Sequence, residues 1–351
     1  MDHSAGDARP LITTVIPTFR RPKMLKRAVV SALEQEGVPL QVCVYDNASG
    51  DETGVVVETL RAEDSRLRYH CHERNLGAFA NFEYGMRAVS TPFFSILSDD
   101  DYLLPGFYKR ALDDLARHPE AMFWAGLTLS VDESGKIYDA RVARWPREGL
   151  FAPPEGLMRV MHGMALTWTG IVFRREVLAA VGLLDQETLG PSDLDYIMRI
   201  TAQHSYLLYK VPSAVFVLNT ESFSATQPLS SFWPGWQKMI RNLESLPGLD
   251  ARSRKDALAA LHKDAQRMLF RRGANALAQG RGDFARNAAH VLKDQYGLAT
   301  RAAALRILSF LCERSMAAQR AYTAAYRLAE RNIIKSRGSL QAHYGQFIRP
   351  A

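Results

Sequence analysis

The chain has 351 residues, 47% hydrophobic and 23% charged, with a formal net charge of +7; this length holds a full core plus a second unit, and the balance excludes a disordered polymer. Its three cysteines, Cys43, Cys71 and Cys312, lie far apart without metal-binding spacing, so the sequence predicts neither a disulfide framework nor a zinc module, and a reducing compartment. The polar start Met1 to Pro10 has no apolar signal core, and no later run approaches the roughly 18 apolar residues of a membrane span, which predicts a cytoplasmic protein, soluble or peripheral.

Leu11 to Ile16 reads as a first strand stopped by Pro17, followed by a loop through Pro22 and a helix over Lys23 to Gln35 with apolar spacing at Leu25, Ala28, Val29, Ala32 and Leu33. A second strand, Leu40 to Tyr45, runs into the turn-rich loop Asp46 to Thr53 and a helix over Val55 to Ala62. A third strand, Leu67 to Cys71, precedes His72 to Gly77 and a helix over Ala78 to Val89. Residues 93–97 form a fourth strand. Alternation at these short spacings predicts a doubly wound, mostly parallel α/β sheet with a nucleotide site at the carboxyl ends of its strands. Neither GxGxxG nor GxxxxGK(S/T) is present, so the phosphates must be gripped by other means.

The loop after the fourth strand, Ser98-Asp99-Asp100-Asp101, is the candidate grip. Three adjacent carboxylates repel one another and call for a positive charge. Their hard oxygens suit Mg²⁺ or Mn²⁺, and such an ion would hold a diphosphate. The competing reading is a solvated loop in which Asp101 caps a helix opened by Pro105.

Val15-Ile-Pro-Thr-Phe-Arg20, Val44-Tyr-Asp-Asn-Ala-Ser-Gly-Asp51, Arg74-Asn-Leu-Gly77 and Ser98 to Asp101 with Pro105 stand in the order and spacing of a known family. With Thr169 to Leu178, Val181 to Asp185, and Ser192-Asp-Leu-Asp-Tyr196 with Arg199, they resemble the inverting family 2 glycosyltransferases of GT-A fold, of bacterial surface-polysaccharide type. The resemblance spans about residues 10–225. It implies that Asp100 is the principal metal position, that Asp99 faces the ribose or the outer metal shell, and that Asp101 binds the metal through water or only caps. By the same resemblance Asp46 accepts from the base or ribose, Pro17 and Thr18 line the base, and Arg74 stacks on it or meets a phosphate, with Arg20 and Arg21 at the same edge. Asp193 matches the general base that takes the acceptor's proton, while Asp195 reads as a charge on the helix dipole. Three departures stand out. Ser98 and Ser192 replace commoner acidic residues, and the stretch Val217 to Ser224 lacks a His found in relatives, leaving Asn219 or Glu221 to substitute.

Residues 226–240 read as an aromatic linker in which Trp233 and Trp236 pack the junction, face a sugar or meet a membrane. Residues 1–240 carry 24 Lys and Arg against 29 Asp and Glu, whereas residues 241–351 carry 20 against 8, a local net charge of +12. From Arg252 the pattern is helical, with a helix hairpin around Gln279 to Asp283. Beyond it Arg306, Glu313, Arg320 and Arg327 recur every seven residues toward Arg331 and Lys335, and Leu308, Leu311, Ala318, Tyr322, Tyr326 and Ile333 supply the apolar side. Such a basic amphipathic stretch either packs on a core with a solvated charged face or docks on an anionic membrane. No stacking module or reading helix accompanies it, so no nucleic-acid partner is expected.

The expectation is therefore a GT-A catalytic domain over residues 1–225, a linker over 226–240 and a C-terminal all-helical, basic region over 241–351. Its donor is a nucleotide sugar, its metal Mn²⁺ or Mg²⁺, and its acceptor a glycan, lipid-linked by analogy with bacterial relatives. A sugar nucleotidyltransferase and a catalytically silent scaffold are the alternatives; the first normally carries glycines after its first strand, which Pro17 to Pro22 lacks.

Overall fold

In the computed structural model of the chain, which describes residues 9–161, 165–218, 227–335 and 337–348, the apolar runs of the N-terminal half become strands. β1 (Ile12–Thr18), β2 (Leu40–Asp46), β3 (Leu67–Cys71) and β4 (Phe93–Ile96) pair in parallel in the spatial order β3–β2–β1–β4. Between them run α1 (Pro22–Leu33), α2 (Thr53–Glu63) and α3 (Ala78–Arg87). Every residue of β1 is buried, as a parallel strand covered on both faces must be. β1 does not stop at Pro17. The Val15 carbonyl accepts from Leu97 N at 3.0 Å, so Pro17, of the same parity, turns its missing N–H toward β4, past that strand's last paired residue, Ile96.

The sheet then becomes mixed. β5 (Tyr102–Leu103), β6 (Ala121–Val131), β9 (Ile171–Arg174) and β10 (Ser205–Val217) extend it in the order β4–β9–β6–β10–β5. β9 is antiparallel to both its neighbours and β10 is parallel to β6, with β7 (Ile137–Asp139) and β8 (Gly149–Phe151) at the margin. The helices of this part are α4 (Phe107–Arg117), α5 (Glu155–Met161), α6 (Val177–Ala180) and α7 (Ser192–Thr201). Gly106, at φ +78, precedes α4, so Asp101 does not cap that helix.

The segment read as a linker belongs to a helix, α8 (Leu229–Ser245), with Phe232, Trp233 and Trp236 buried. The expected hairpin is α9 (Ala251–Ala278) and α10 (Gly282–Asp294), turning at Gly280 with φ +75. α11 (Ala299–Arg314), α12 (Met316–Lys335) and α13 (Gly338–Tyr344) follow. One face of the sheet, through Phe123, Phe151 and Tyr206, shares a continuous apolar core with Phe232, Trp236, Leu261, Leu269 and Leu292 of these helices; the other face packs under α1, α2 and α4. The seven-residue stripe is interrupted at Ser315, which is extended between α11 and α12. Of the residues read on the apolar side, Leu311 is exposed, while the Tyr322 hydroxyl reaches the Ala274 carbonyl at 3.0 Å. Asn219 and Glu221, and the side chains of Ile333 and Lys335, lie outside the described residues.

Candidate active site

β4 ends at Ile96 and β5 begins at Tyr102, so Ser98 to Asp101 form a loop tied at both ends to the sheet. Its three carboxylates have separate partners. Asp99 accepts from Thr18 Oγ1 at 2.8 Å and from Arg21 Nη1 at 3.1 Å, and the same Arg21 nitrogen donates to Asp100 Oδ2 at 2.9 Å. Arg27 holds the Asp100 backbone carbonyl at 2.7 Å while lying over the Tyr102 ring. Asp101 is fully buried; its oxygens accept from Thr169 Oγ1 at 2.7 Å and Val217 N at 2.9 Å, joining the loop to the segment before β9 and to the end of β10. Burial, then the adjacent Asp100 charge, push Asp99 up to about 6 and Asp101 well above the usual carboxylate range.

Asp46, at the carboxyl end of β2, accepts from Ser49 N at 2.9 Å and from the Tyr69 hydroxyl at 2.7 Å. Arg20, at φ +55, donates its Nε to the Ser49 carbonyl at 3.0 Å, and its backbone N–H to Ser49 Oγ at 2.8 Å. These two residues shape the loop after β2 from beside the cleft, and Arg74 is exposed on the following loop. In their place Asn47 and Asn75 meet the cavity, joined by a 2.9 Å hydrogen bond.

Asp193 lies in the first turn of α7, half-buried, with Oδ1 2.8 Å from Leu194 N; burial pushes its carboxyl up, opposed by that N–H and by the charge of Arg141. Asp195, two residues on, points into protein. It accepts from Arg199 Nε at 2.8 Å and from Asn242 Nδ2 at 2.8 Å, and Arg199 donates to the carbonyls of Val181 and Leu183. Asn242 also donates to Asp185 at 2.9 Å, so α8 clamps the helix that carries Asp193.

Pro17, Thr18, Ser98, Asp99, Asp100 and Asp193 all line one open cavity of about 1000 Å³. Asp46, Arg20, Arg74 and Asp101 do not. The cavity adds Arg21, Phe82 and Trp168, whose rings lie 4.9 Å apart, and Arg272, Asn275, Gln279, Arg281 and Phe284 from the C-terminal helices. Arg21 was expected at this edge beside Arg20; the C-terminal contributors carry no local signal, because only packing brings them there.

Among the described residues no group of three or more His, Cys, Asp or Glu is placed to share a metal ion. At the loop after β4 the cavity is lined by two adjacent carboxylates, Asp99 and Asp100, with Arg21 between them. That set fits an ion of Mg²⁺ type, which takes one or two carboxylates and completes its shell with water and substrate phosphates; it does not fit an all-protein cage.

Comparison with known proteins agrees with this architecture. A family profile described as Glycosyl transferase family 2 matches residues 13–182, so Asp193 lies beyond the matched stretch. The succinoglycan biosynthesis protein ExoO of Rhizobium meliloti is 28% identical over 214 residues, 58% of each chain. The GalNAc(5)-diNAcBac-PP-undecaprenol beta-1,3-glucosyltransferase of Campylobacter jejuni is 34% identical over 98 residues, 28% of this chain and 32% of that one. The chain thus spans about a third to three fifths of these curated relatives' lengths. The crystal structure of Staphylococcus aureus TarS 1-349 in complex with UDP-GlcNAc superposes with a TM-score of 0.59 at 13% identity, covering 91% of this chain and 92% of that one. The mannosyltransferase PcManGT of Pyrobaculum calidifontis, in complex with GDP-Man and Mn2+, gives a TM-score of 0.52 at 16% identity, over 96% and 85%. At such identities these likenesses show the fold, which is GT-A. Residues 13–182 carry a domain that matches the family described as Glycosyl transferase family 2.

Proposed function

We propose that this protein is an inverting glycosyltransferase that moves a sugar from a nucleoside diphosphate sugar to a hydroxyl of an acceptor glycan, with Asp193 as general base. The observation that carries the reading is that Asp100 and Asp193, from separate parts of the chain, line the same cavity. Asp193 takes the proton of the acceptor hydroxyl as its oxygen forms the new bond to the anomeric carbon. The bond to the diphosphate breaks on the opposite face and the diphosphate leaves with the electron pair, so one displacement inverts the centre. A raised carboxyl is the better base for a weakly acidic hydroxyl. A bound Mn²⁺ or Mg²⁺ would supply Lewis acidity toward the departing diphosphate, held by Asp99 and Asp100. Asp101 keeps the loop in register from behind.

In this reading residues 1–225 form the catalytic domain, α8 clamps it, and residues 241–351 close the cavity and carry the basic surface. The relative that extends an undecaprenol-linked glycan supports a lipid-linked acceptor. Docking on an anionic membrane gains support from α11, where Ile307, Phe310 and Leu311 are 59%, 53% and 49% exposed beside Arg314. Among the described residues no helix is long and apolar enough to cross a membrane. Donor turnover measured for wild type, Asp100→Ala and Asp193→Ala tests the assignment. Both variants should keep the wild-type melting profile and lose transfer by 10²-fold or more, about the worth of a positioned base; two fully active variants overturn it.

A further inference from the structure

Next to the acidic loop lies a second cavity, of about 280 Å³. Arg27 and Tyr102 border it on the loop's side, Val131 and Val217 from the sheet, and Gln341 and Ile348 from α13 and the turn after it. Val217 lines this cavity and the larger one alike. Among the described residues β7 pairs with β6 alone, and an edge strand leaves backbone groups for another element to cover. Here α13 covers them. Gln341 Oε1 accepts from Ile137 N at 2.9 Å, and Arg337 donates through Nη1 to the Tyr138 carbonyl.

The turn between β6 and β7 is braced from within. Asp132 Oδ1 accepts from Ser134 N at 2.9 Å, Ser134 Oγ at 2.6 Å and Lys136 N at 3.0 Å, so a load at the tip is carried to the base. Gly135, at φ +79, is at that tip, and a Cβ on it would stand 3.2 Å from Ile348 Cγ2. At the base, Val131 pairs with Val217 and accepts from Leu218 N at 2.8 Å. Val217 N in turn donates to Asp101 Oδ1, and Arg27 on the opposite wall holds the Asp100 carbonyl. A chain of contacts could serve stability alone. This one ends on Val217, which supplies one of the two hydrogen bonds that hold Asp101 and stands in the wall of both cavities.

We infer that α13 is a positioning strap for the acidic loop: by clamping the β6–β7 turn it fixes Val217, and through Val217 the Asp101 end of the loop that presents Asp99 and Asp100 to the donor. Gln341 is its positioning residue. The effect on the donor rests on the glycosyltransferase reading; the hold on the loop does not.

Hydrogen exchange of the full-length protein is followed by mass spectrometry in peptides covering residues 214–218, with Mn²⁺ affinity and donor kinetics measured on the same variants. Gln341→Ala/Ile348→Ala removes both the hydrogen bond and the contact on the turn. It should speed exchange at residues 214–218 by about fivefold, the worth of roughly one net hydrogen bond. It should also weaken Mn²⁺ binding and raise the donor KM by more than it lowers kcat. Gln341→Glu keeps an oxygen for Ile137 N–H and should restore all three toward wild type. Tyr322→Phe loses its hydroxyl on the Ala274 carbonyl and should lower the melting temperature with none of the three changed. The strap is overturned by unchanged exchange in the double variant, by faster exchange with Mn²⁺ affinity and donor KM unmoved, by Gln341→Glu behaving as the double variant, or by Tyr322→Phe shifting the same readouts equally. If wild type binds neither Mn²⁺ nor a nucleotide sugar, the glycosyltransferase reading fails by itself, and exchange at residues 214–218 still decides whether α13 holds the loop.

Discussion

Asp193, Asp101 and Arg21 are three charged groups with three physical situations. Asp193 is half-buried with its carboxyl pushed up by burial, so turnover should fall as pH drops through a value above the ordinary Asp range near ~3.9. A kcat–pH profile checks this: its acidic limb should vanish along with activity in Asp193→Asn and persist in Asp193→Glu. Asp101 is buried between a hydroxyl and a backbone N–H. Replacing it with Ala leaves both donors unmatched, at about 1–3 kcal/mol each, whereas Asn retains an acceptor for Val217 N. Because the folded-state pKa of Asp101 is raised, the native carboxyl disfavours folding as pH climbs past its unfolded value. Asp101→Asn should therefore keep its melting temperature near neutral pH better than Asp101→Ala, and lose less of it than wild type between acid and neutral pH. Arg21 neutralises Asp99 and Asp100. Arg21→Ala should lower the melting temperature without metal yet bind Mn²⁺ more tightly, read by the paramagnetic signal of free Mn²⁺; equal or weaker binding would show that Arg21 does not compete for these carboxylates.

At the scale of elements, the placement of α7 depends on α8. Asn242 links Asp185 and Asp195, Lys238 lies 3.5 Å from Asp185 and 3.4 Å from Glu187, and a Cβ on Gly235 would overlap the Thr188 carbonyl oxygen. Backbone cannot yield as a flexible side chain does. Gly235→Ala should therefore destabilise by about 1–3 kcal/mol or more and reduce kcat through displacement of Asp193, seen together in melting curves and turnover. The sequence pattern around Ser192 to Arg199 marks a helix with a carboxylate at its start, but it does not mark the partner of Asp195. Asn242 is an ordinary polar residue in an amphipathic stretch until packing faces it toward two carboxylates.

Across the whole molecule one face of the sheet and the C-terminal helices share an apolar core, so the basic region is packed onto the sheet and lines the cavity. What remains outward is the α11 face with Ile307, Phe310, Leu311 and Arg314. The double substitution Ile307→Asp/Phe310→Asp should abolish flotation with anionic liposomes at low salt while leaving the melting temperature unchanged, because neither side chain is in the core. Flotation equal to wild type would remove this face from the membrane assignment. A buried apolar face and an exposed one have the same helical spacing, so the sequence left open whether Leu311 packs or faces outward.

Local order in the chain carried the β/α alternation, the acidic loop after β4, the carboxylate opening α7 and the hairpin at Gly280, because each depends on neighbours within a few residues. The division of labour inside the acidic loop depended on distant groups: Thr18 and Arg21 for Asp99, Arg21 for Asp100, Thr169 and Val217 for Asp101. So did the entry of Arg272 and Arg281 into the cleft. Contacts between residues far apart in the chain leave no spacing to read, and it was the folded packing that chose which charged groups meet.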